Sequence, residues 1–234
     1  MPPGNNIGNC PDTVMNTHPD TVDAGRSGAD NARLFVGLPL PKSYQQGLAA
    51  LTRTLAPLVP GTCSWTRPGN WHLTLAFLGD APMTIVPDLC AALASVRWEA
   101  FPFMAGGGGF FPSPECPRVF WVGAAEGGRP CRELAWAVKD ALAPFGLGQD
   151  ARPFAAHLTL ARIRSSRPGA DWKRPLGEVQ GTHWPQAVMD RFVLWRSYLG
   201  GALGEETPDG PAENVRVGQP GPRYLPLGEF GASG

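Results

Sequence analysis

No apolar run in the 234-residue sequence approaches the roughly 20 residues needed to cross a bilayer. The N-terminus lacks the basic start and apolar stretch of a secretory leader. Net charge is missing too. Twenty Lys and Arg balance twenty Asp and Glu to a formal +0. That excludes a protein that grips nucleic acid by bulk electrostatics, so any nucleic-acid partner has to be met at a local site. Cys10, Cys63, Cys90, Cys116 and Cys131 include no C-x-x-C pair, which excludes the usual redox and zinc frames. They read as reduced thiols, and the expected compartment is the cytoplasm. The four-glycine run at 106–109 is not followed by Gly-Lys-Ser/Thr, so it is no phosphate-binding P-loop; it reads as a flexible loop or strand edge. Histidine is scarce, with His18, His72, His157 and His183 the whole set.

What is present is a sequence able to build a core. Apolar residues make up 43% and charged residues 17%, enough for one large domain or two small lobes. Residues 1–31 are polar, without periodicity, and read as a disordered tail; 200–222, rich in Gly, Pro and Glu, reads as a disordered or flexible insertion. The domain proper spans 32–231. Arg33-Leu-Phe-Val-Gly-Leu38 reads as a buried strand, and Tyr44, Leu48, Leu51 and Leu55 set a helix ending near Ala56. A strand over 71–78 and a helix over 87–96 come next. The second half repeats the theme with strands over 119–122, 154–163, 188–199 and 224–227 and a helix over 131–142. The similar order suggests an internal duplication.

The duplication is explicit in one word. His-Leu-Thr-Leu occurs at 72–75 and again at 157–160. In a strand, residues two apart share a face. His72 and Thr74 therefore face one way and both leucines the other, and His157 and Thr159 do the same. Two imidazoles with ordinary pKa near 6.5 suit paired acid and base work. Two hydroxyls suit the non-bridging oxygens of a phosphate. Such a set needs no metal and no cofactor. A single copy would read as an ordinary half-buried strand, but packing alone does not explain two identical polar faces. A zinc site on His72 and His157 would want further ligands, with only His183 and scattered carboxylates to supply them.

The flanks carry a resemblance. Asn70-Trp-His-Leu-Thr-Leu-Ala-Phe-Leu-Gly79, Arg152-Pro-Phe-Ala-Ala-His-Leu-Thr-Leu-Ala-Arg162, Pro117-Arg-Val-Phe-Trp-Val-Gly123 and Tyr224-Leu-Pro-Leu-Gly-Glu-Phe230 resemble segments of the 2H phosphoesterase superfamily, and within it the bacterial RNA 2′,3′-cyclic phosphodiesterases, also called RNA 2′-5′ ligases. The resemblance covers about 33–230. It implies a bilobal, duplicated α+β fold: two mostly antiparallel sheets with outer helices, related by a pseudo-twofold, and an active-site groove between the lobes. It implies metal-independent hydrolysis of RNA 2′,3′-cyclic phosphate ends to 2′-phosphates, by a monomer whose partner is such an RNA and not a membrane. His72 would be the proton donor, His157 the proton acceptor, Thr74 and Thr159 the holders of the phosphate, and Arg162 either a further phosphate contact or a surface residue. The alternatives are 2′-5′ joining of tRNA halves and a non-catalytic RNA-end binding module. The sequence departs from the family at Gly69, where an acidic residue is common, and at Trp71, where a small aliphatic one is.

Three further features stay outside the motif. Arg162, Arg164, Arg167, Lys173 and Arg174 could meet flanking RNA phosphates, though a solvated loop is the plainer reading. Trp65 and Phe77 could stack a base. Alternation from His72 puts Phe77 on the core face.

Overall fold

The computed structural model describes residues 30–149, 153–167, 169–198 and 222–233. Of the tail read over 1–31, residues 1–29 lie outside these described residues, as do 200–221 of the insertion read over 200–222; Asn31 already belongs to the first strand and is not tail. Two antiparallel sheets carry the fold. The first orders β3 (His72–Pro82), β1 (Asn31–Pro39), β8 (Arg191–Tyr198) and β9 (Arg223–Gly231). The second orders β2 (Gly61–Trp65), β6 (Leu158–Ser166), β5 (Pro117–Glu126), β4 (Phe101–Pro112) and β7 (Ala187–Met189). Read outward from the motif strands, β3-β1-β8-β9 corresponds to β6-β5-β4-β7, with β2 added beside β6. The duplication expected from the sequence is thus written in the topology.

The helices change sides. Helix α1 (Lys42–Leu55) comes after β1 of the first sheet but backs the second. Its buried Tyr44 donates to Pro185 O at 2.7 Å and accepts from Ala105 N of β4 at 3.0 Å. Helix α4 (Lys173–Gly181) packs on β4 and on α1. Conversely α3 (Gly128–Leu142), which comes after β5 of the second sheet, packs on β3, and α2 (Val86–Ala94) lies against α3 and β9. Each sheet is therefore closed by a helix from the other half. One continuous core results, joining Leu34, Leu73 and Leu75 to Phe120, Leu158 and Leu160. The leucines of both tetrapeptides are buried in it, as alternation requires.

Alternation then fails at the same place twice. In the β1–β3 ladder Val36 pairs with Ala76 and Gly37 with Thr74, so Leu75 is skipped. In the β5–β6 ladder Phe120 pairs with Ala161 and Trp121 with Thr159, so Leu160 is skipped. The bulged residue is the last leucine of each tetrapeptide. A bulge adds one residue and re-aims the side chains beyond it. Leu75 and Ala76 are both buried, and so are Leu160 and Ala161. Phe77 and Arg162, each five residues after its histidine, turn back onto the histidine face and are exposed, Phe77 to 44%. The core placement of Phe77 is thereby corrected.

Two other readings change. The four-glycine run is not a loop; it lies inside β4, where Gly108 and Gly109 pair with β5 while β7 pairs only with 101–103. Side chains cross it: a Cβ on Gly108 would come within 2.5 Å of Val179, and one on Gly109 within 2.7 Å of the Trp121 ring. The basic stretch is not one loop: Arg162 and Arg164 lie on β6, Lys173 and Arg174 open α4, and only Arg167 falls between the two elements. Cys63, Cys90 and Cys131 are free thiols but Cys116 is disulfide-bonded, which corrects the expectation that every cysteine is reduced. Among the described residues no helix is long and apolar enough to cross a membrane.

Candidate active site

His72 opens β3 and His157 stands one residue before β6. Each ring is locked in the same way. His72 Nδ1 lies 2.7 Å from Asn70 O, and His157 Nδ1 lies 2.8 Å from Ala155 O. A carbonyl can only accept, so each Nδ1 carries the proton and donates it. The titrating nitrogen is therefore Nε2 in both rings. An identical clamp, two residues upstream, recurs in both halves.

Thr74 and Thr159 share the face of their histidines, half-buried. Among the described residues neither hydroxyl has a protein hydrogen-bond partner. The second strand is held from the side by Thr66, whose backbone N–H donates to Leu160 O and whose hydroxyl donates to Thr159 O, both at 2.8 Å. Arg162 joins this face through the bulge. The five residues expected from the sequence thus lie on the facing surfaces of the two motif strands.

Sequence reasoning missed the aromatic surround. Phe35 lies 4.8 Å from the His72 ring, Trp195 5.5 Å, and Tyr224 5.4 Å and nearly perpendicular. Phe111 meets His157 edge-on at 5.0 Å and stacks on Trp121. Trp195 and Tyr224 reach His72 through ladder pairings across β1, β8 and β9, far apart in sequence, so no local pattern signals them. Trp65 is half-buried and packs against the core, and Trp71 is 2% exposed. His183 is exposed in the loop before β7. Among the described residues no group of three or more His, Cys, Asp or Glu converges.

Two electrostatic couplings cross the groove. Burial pushes the His72 pKa down to about 4, His157 adds to the fall, and the hydrogen bond to Asn70 opposes it. Burial raises Tyr224, and Arg162 opposes that rise. His157 and Arg162 of the second half are thus felt by His72 and Tyr224 of the first. An imidazolium in such a place gives up its proton readily. An anion arriving between the rings would offset both effects that hold His72 neutral.

The low His72 value has a consequence for stability. The unfolded chain protonates this histidine near pH 6.5, while the folded chain resists until about 4. Stability from this residue is therefore intact above pH 6.5 and lost as pH falls toward 4. The ring is half-buried and not sealed, so the expected loss is about 1–2 kcal/mol. Urea unfolding at pH 7.0 and 4.5 measures it. His72→Gln should show a smaller drop than the parent by that amount, and an equal drop would contradict the assignment.

The arrangement offers two imidazoles that titrate at Nε2 and two threonine hydroxyls on the two motif strands. Comparison with known proteins places it. Residues 38–121 match the family model described as LigT-like phosphoesterase. A Thermus thermophilus protein named RNA 2′,3′-cyclic phosphodiesterase is 32% identical over 193 residues, covering 78% of this chain and 87% of the relative. This chain belongs to the LigT-like phosphoesterase family. A Geobacillus stearothermophilus relative of the same name is 35% identical over 130 residues, or 55% of this chain, and the match spans only 41% of that relative's length. Among solved structures, one from Thermus thermophilus superposes with a TM-score of 0.64 at 25% identity, covering 85% of this chain and 97% of that one. The LigT-like fold, two antiparallel sheets with four helices, is the α+β architecture that the family resemblance implied.

Proposed function

We propose that this LigT-like phosphoesterase hydrolyses RNA 2′,3′-cyclic phosphate ends to 2′-phosphates, without a metal or cofactor, as a monomer in the cytoplasm. One observation carries the reading. Two histidines, each clamped so that Nε2 titrates, are coupled across one groove beside two threonine hydroxyls that are uncommitted among the described residues. The names of the Thermus and Geobacillus relatives support the RNA substrate.

The chemistry grows out of the geometry. The phosphate sits between Thr74 and Thr159, whose hydroxyls donate to its non-bridging oxygens, with Arg162 adding positive charge. His157 Nε2, neutral, takes a proton from water as the water oxygen bonds to phosphorus. The P–O3′ bond breaks on the opposite side, and its electron pair leaves with O3′. His72 Nε2–H protonates that oxygen, leaving the phosphate on O2′. One proton on the pair is the working state. At low pH both rings are charged and no base remains; at high pH both are neutral and no acid remains.

Initial rates on an oligoribonucleotide with a 2′,3′-cyclic phosphate end test this. Turnover should be unchanged by EDTA and bell-shaped in pH. Activity lost to EDTA and restored only by added metal would overturn the mechanism.

A further inference from the structure

Beside His72 lies a cavity of about 400 Å³, lined by Lys42, Gln45, Asn70, His72, Trp195 and Tyr224 among others. That volume falls within the roughly 300–1,000 Å³ typical of small-molecule sites. Its walls are built firmly. The Gln45 amide is held at both ends, donating to Trp71 O at 2.8 Å and accepting from Gly69 N at 3.1 Å, which ties α1 to the approach of β3. Asn70 donates its amide to Pro222 O at 2.7 Å, fixing that side chain against the start of β9, and its Oδ1 has no protein partner among the described residues. Trp195 and Tyr224 supply aromatic surface of the kind on which nucleobases rest.

The reaction decides what belongs there. In a 2′,3′-cyclic phosphate the leaving O3′ remains part of the terminal ribose. Whatever protonates O3′ must therefore face that ribose, while the water approaches from the far side of phosphorus. If His72 is the donor, the terminal nucleoside lies on the His72 side, where this cavity is. The RNA then continues from the ribose through its 5′ phosphodiester. Lys42 stands exposed on the cavity wall and makes no ion pair among the described residues.

We propose that the cavity holds the terminal ribonucleoside of the RNA and that Lys42 binds the phosphodiester on its 5′ side. The inference rests on the reading of His72 as donor to O3′. It makes the protein prefer an RNA end over a lone cyclic nucleotide. No residue near Lys42 in the sequence signals this, because the site is assembled from α1, the approach to β3, β8 and β9.

The test compares adenosine 2′,3′-cyclic phosphate, which has no 5′ phosphodiester, with the dinucleotide ApA ending in the same cyclic phosphate. The parent protein should favour the dinucleotide by about fivefold or more in kcat/KM, the effect of one partly exposed charge contact. Lys42→Gln should abolish most of that preference. It should also flatten the fall of kcat/KM with added salt for the dinucleotide, because one screened charge pair is gone. Thermal melting shows that the variant is folded. No preference in the parent, or an unchanged preference and salt slope in Lys42→Gln, overturns the proposal. Failure of the parent to turn over either compound overturns instead the phosphodiesterase reading on which it rests.

Discussion

Replacing His157 with alanine is expected to lower kcat/KM on a cyclic-phosphate RNA end by about 100- to 10,000-fold, and His72→Ala to do the same. The double variant should be little worse than the poorer single one, because one proton relay is broken either way. Both rings are held by a backbone carbonyl through Nδ1, so alanine removes the titrating Nε2 in each. The two roles separate on a phosphodiester with a nitrophenolate leaving group. That oxygen departs without needing a proton. Loss of His72 should then cost little, while loss of His157 should stay costly. Equal sensitivity of both variants on that compound would show that the donor and acceptor assignments are wrong.

The second large effect is expected at the threonines. Thr74→Val and Thr159→Val keep the side-chain shape and remove one hydroxyl each. A hydrogen bond to a charged group contributes about 1.5–3 kcal/mol, so each variant should lose roughly 10- to 100-fold and the pair about 100- to 10,000-fold. Neither hydroxyl is bonded to protein among the described residues, so the variants should melt as the parent does. Steady-state kinetics and a thermal melt, run together, check both halves. A double valine variant within threefold of the parent would mean that the phosphate is held elsewhere.

Much of this site is legible in the sequence because the duplicated word is short and periodic. Alternation alone sets His72 with Thr74, His157 with Thr159, and all four leucines inward, as the burial shows. It breaks one residue later. The bulge at Leu75 and Leu160 is a property of the ladders with β1 and β5, and nothing within the tetrapeptide announces it. Counting therefore sends Phe77 to the core and cannot place Arg162. The same step in register puts a neutral ring on one motif and a cation on the other, at equivalent positions of a duplicated frame.

Other gaps have the same origin. Strand β4 is obscured by its glycines, which are small because Val179 and Trp121 lie over them. Helix α4 buries only Pro175 and Val179, too little to stand out from its charged neighbours. The exchange of helices between halves, and the placing of Trp195 and Tyr224 around His72, depend on contacts between residues far apart in sequence. Periodicity within a segment carries no information about them. The helices α1 and α3, whose buried residues recur at clean helical spacing, are legible nearly to their ends.

The identity of the product tests the central claim most directly. A ribonucleotide 2′,3′-cyclic phosphate end can open to a 2′-phosphate or to a 3′-phosphate, depending on which ribose oxygen receives the proton. A proton delivered by His72 to O3′ leaves the phosphate on O2′. Phosphorus NMR or chromatography of the product resolves the two isomers. The expected result is 2′-phosphate alone, with its formation suppressed together in His72→Ala and His157→Ala. A 3′-phosphate, a mixture of the two, or full activity in either histidine variant would contradict it.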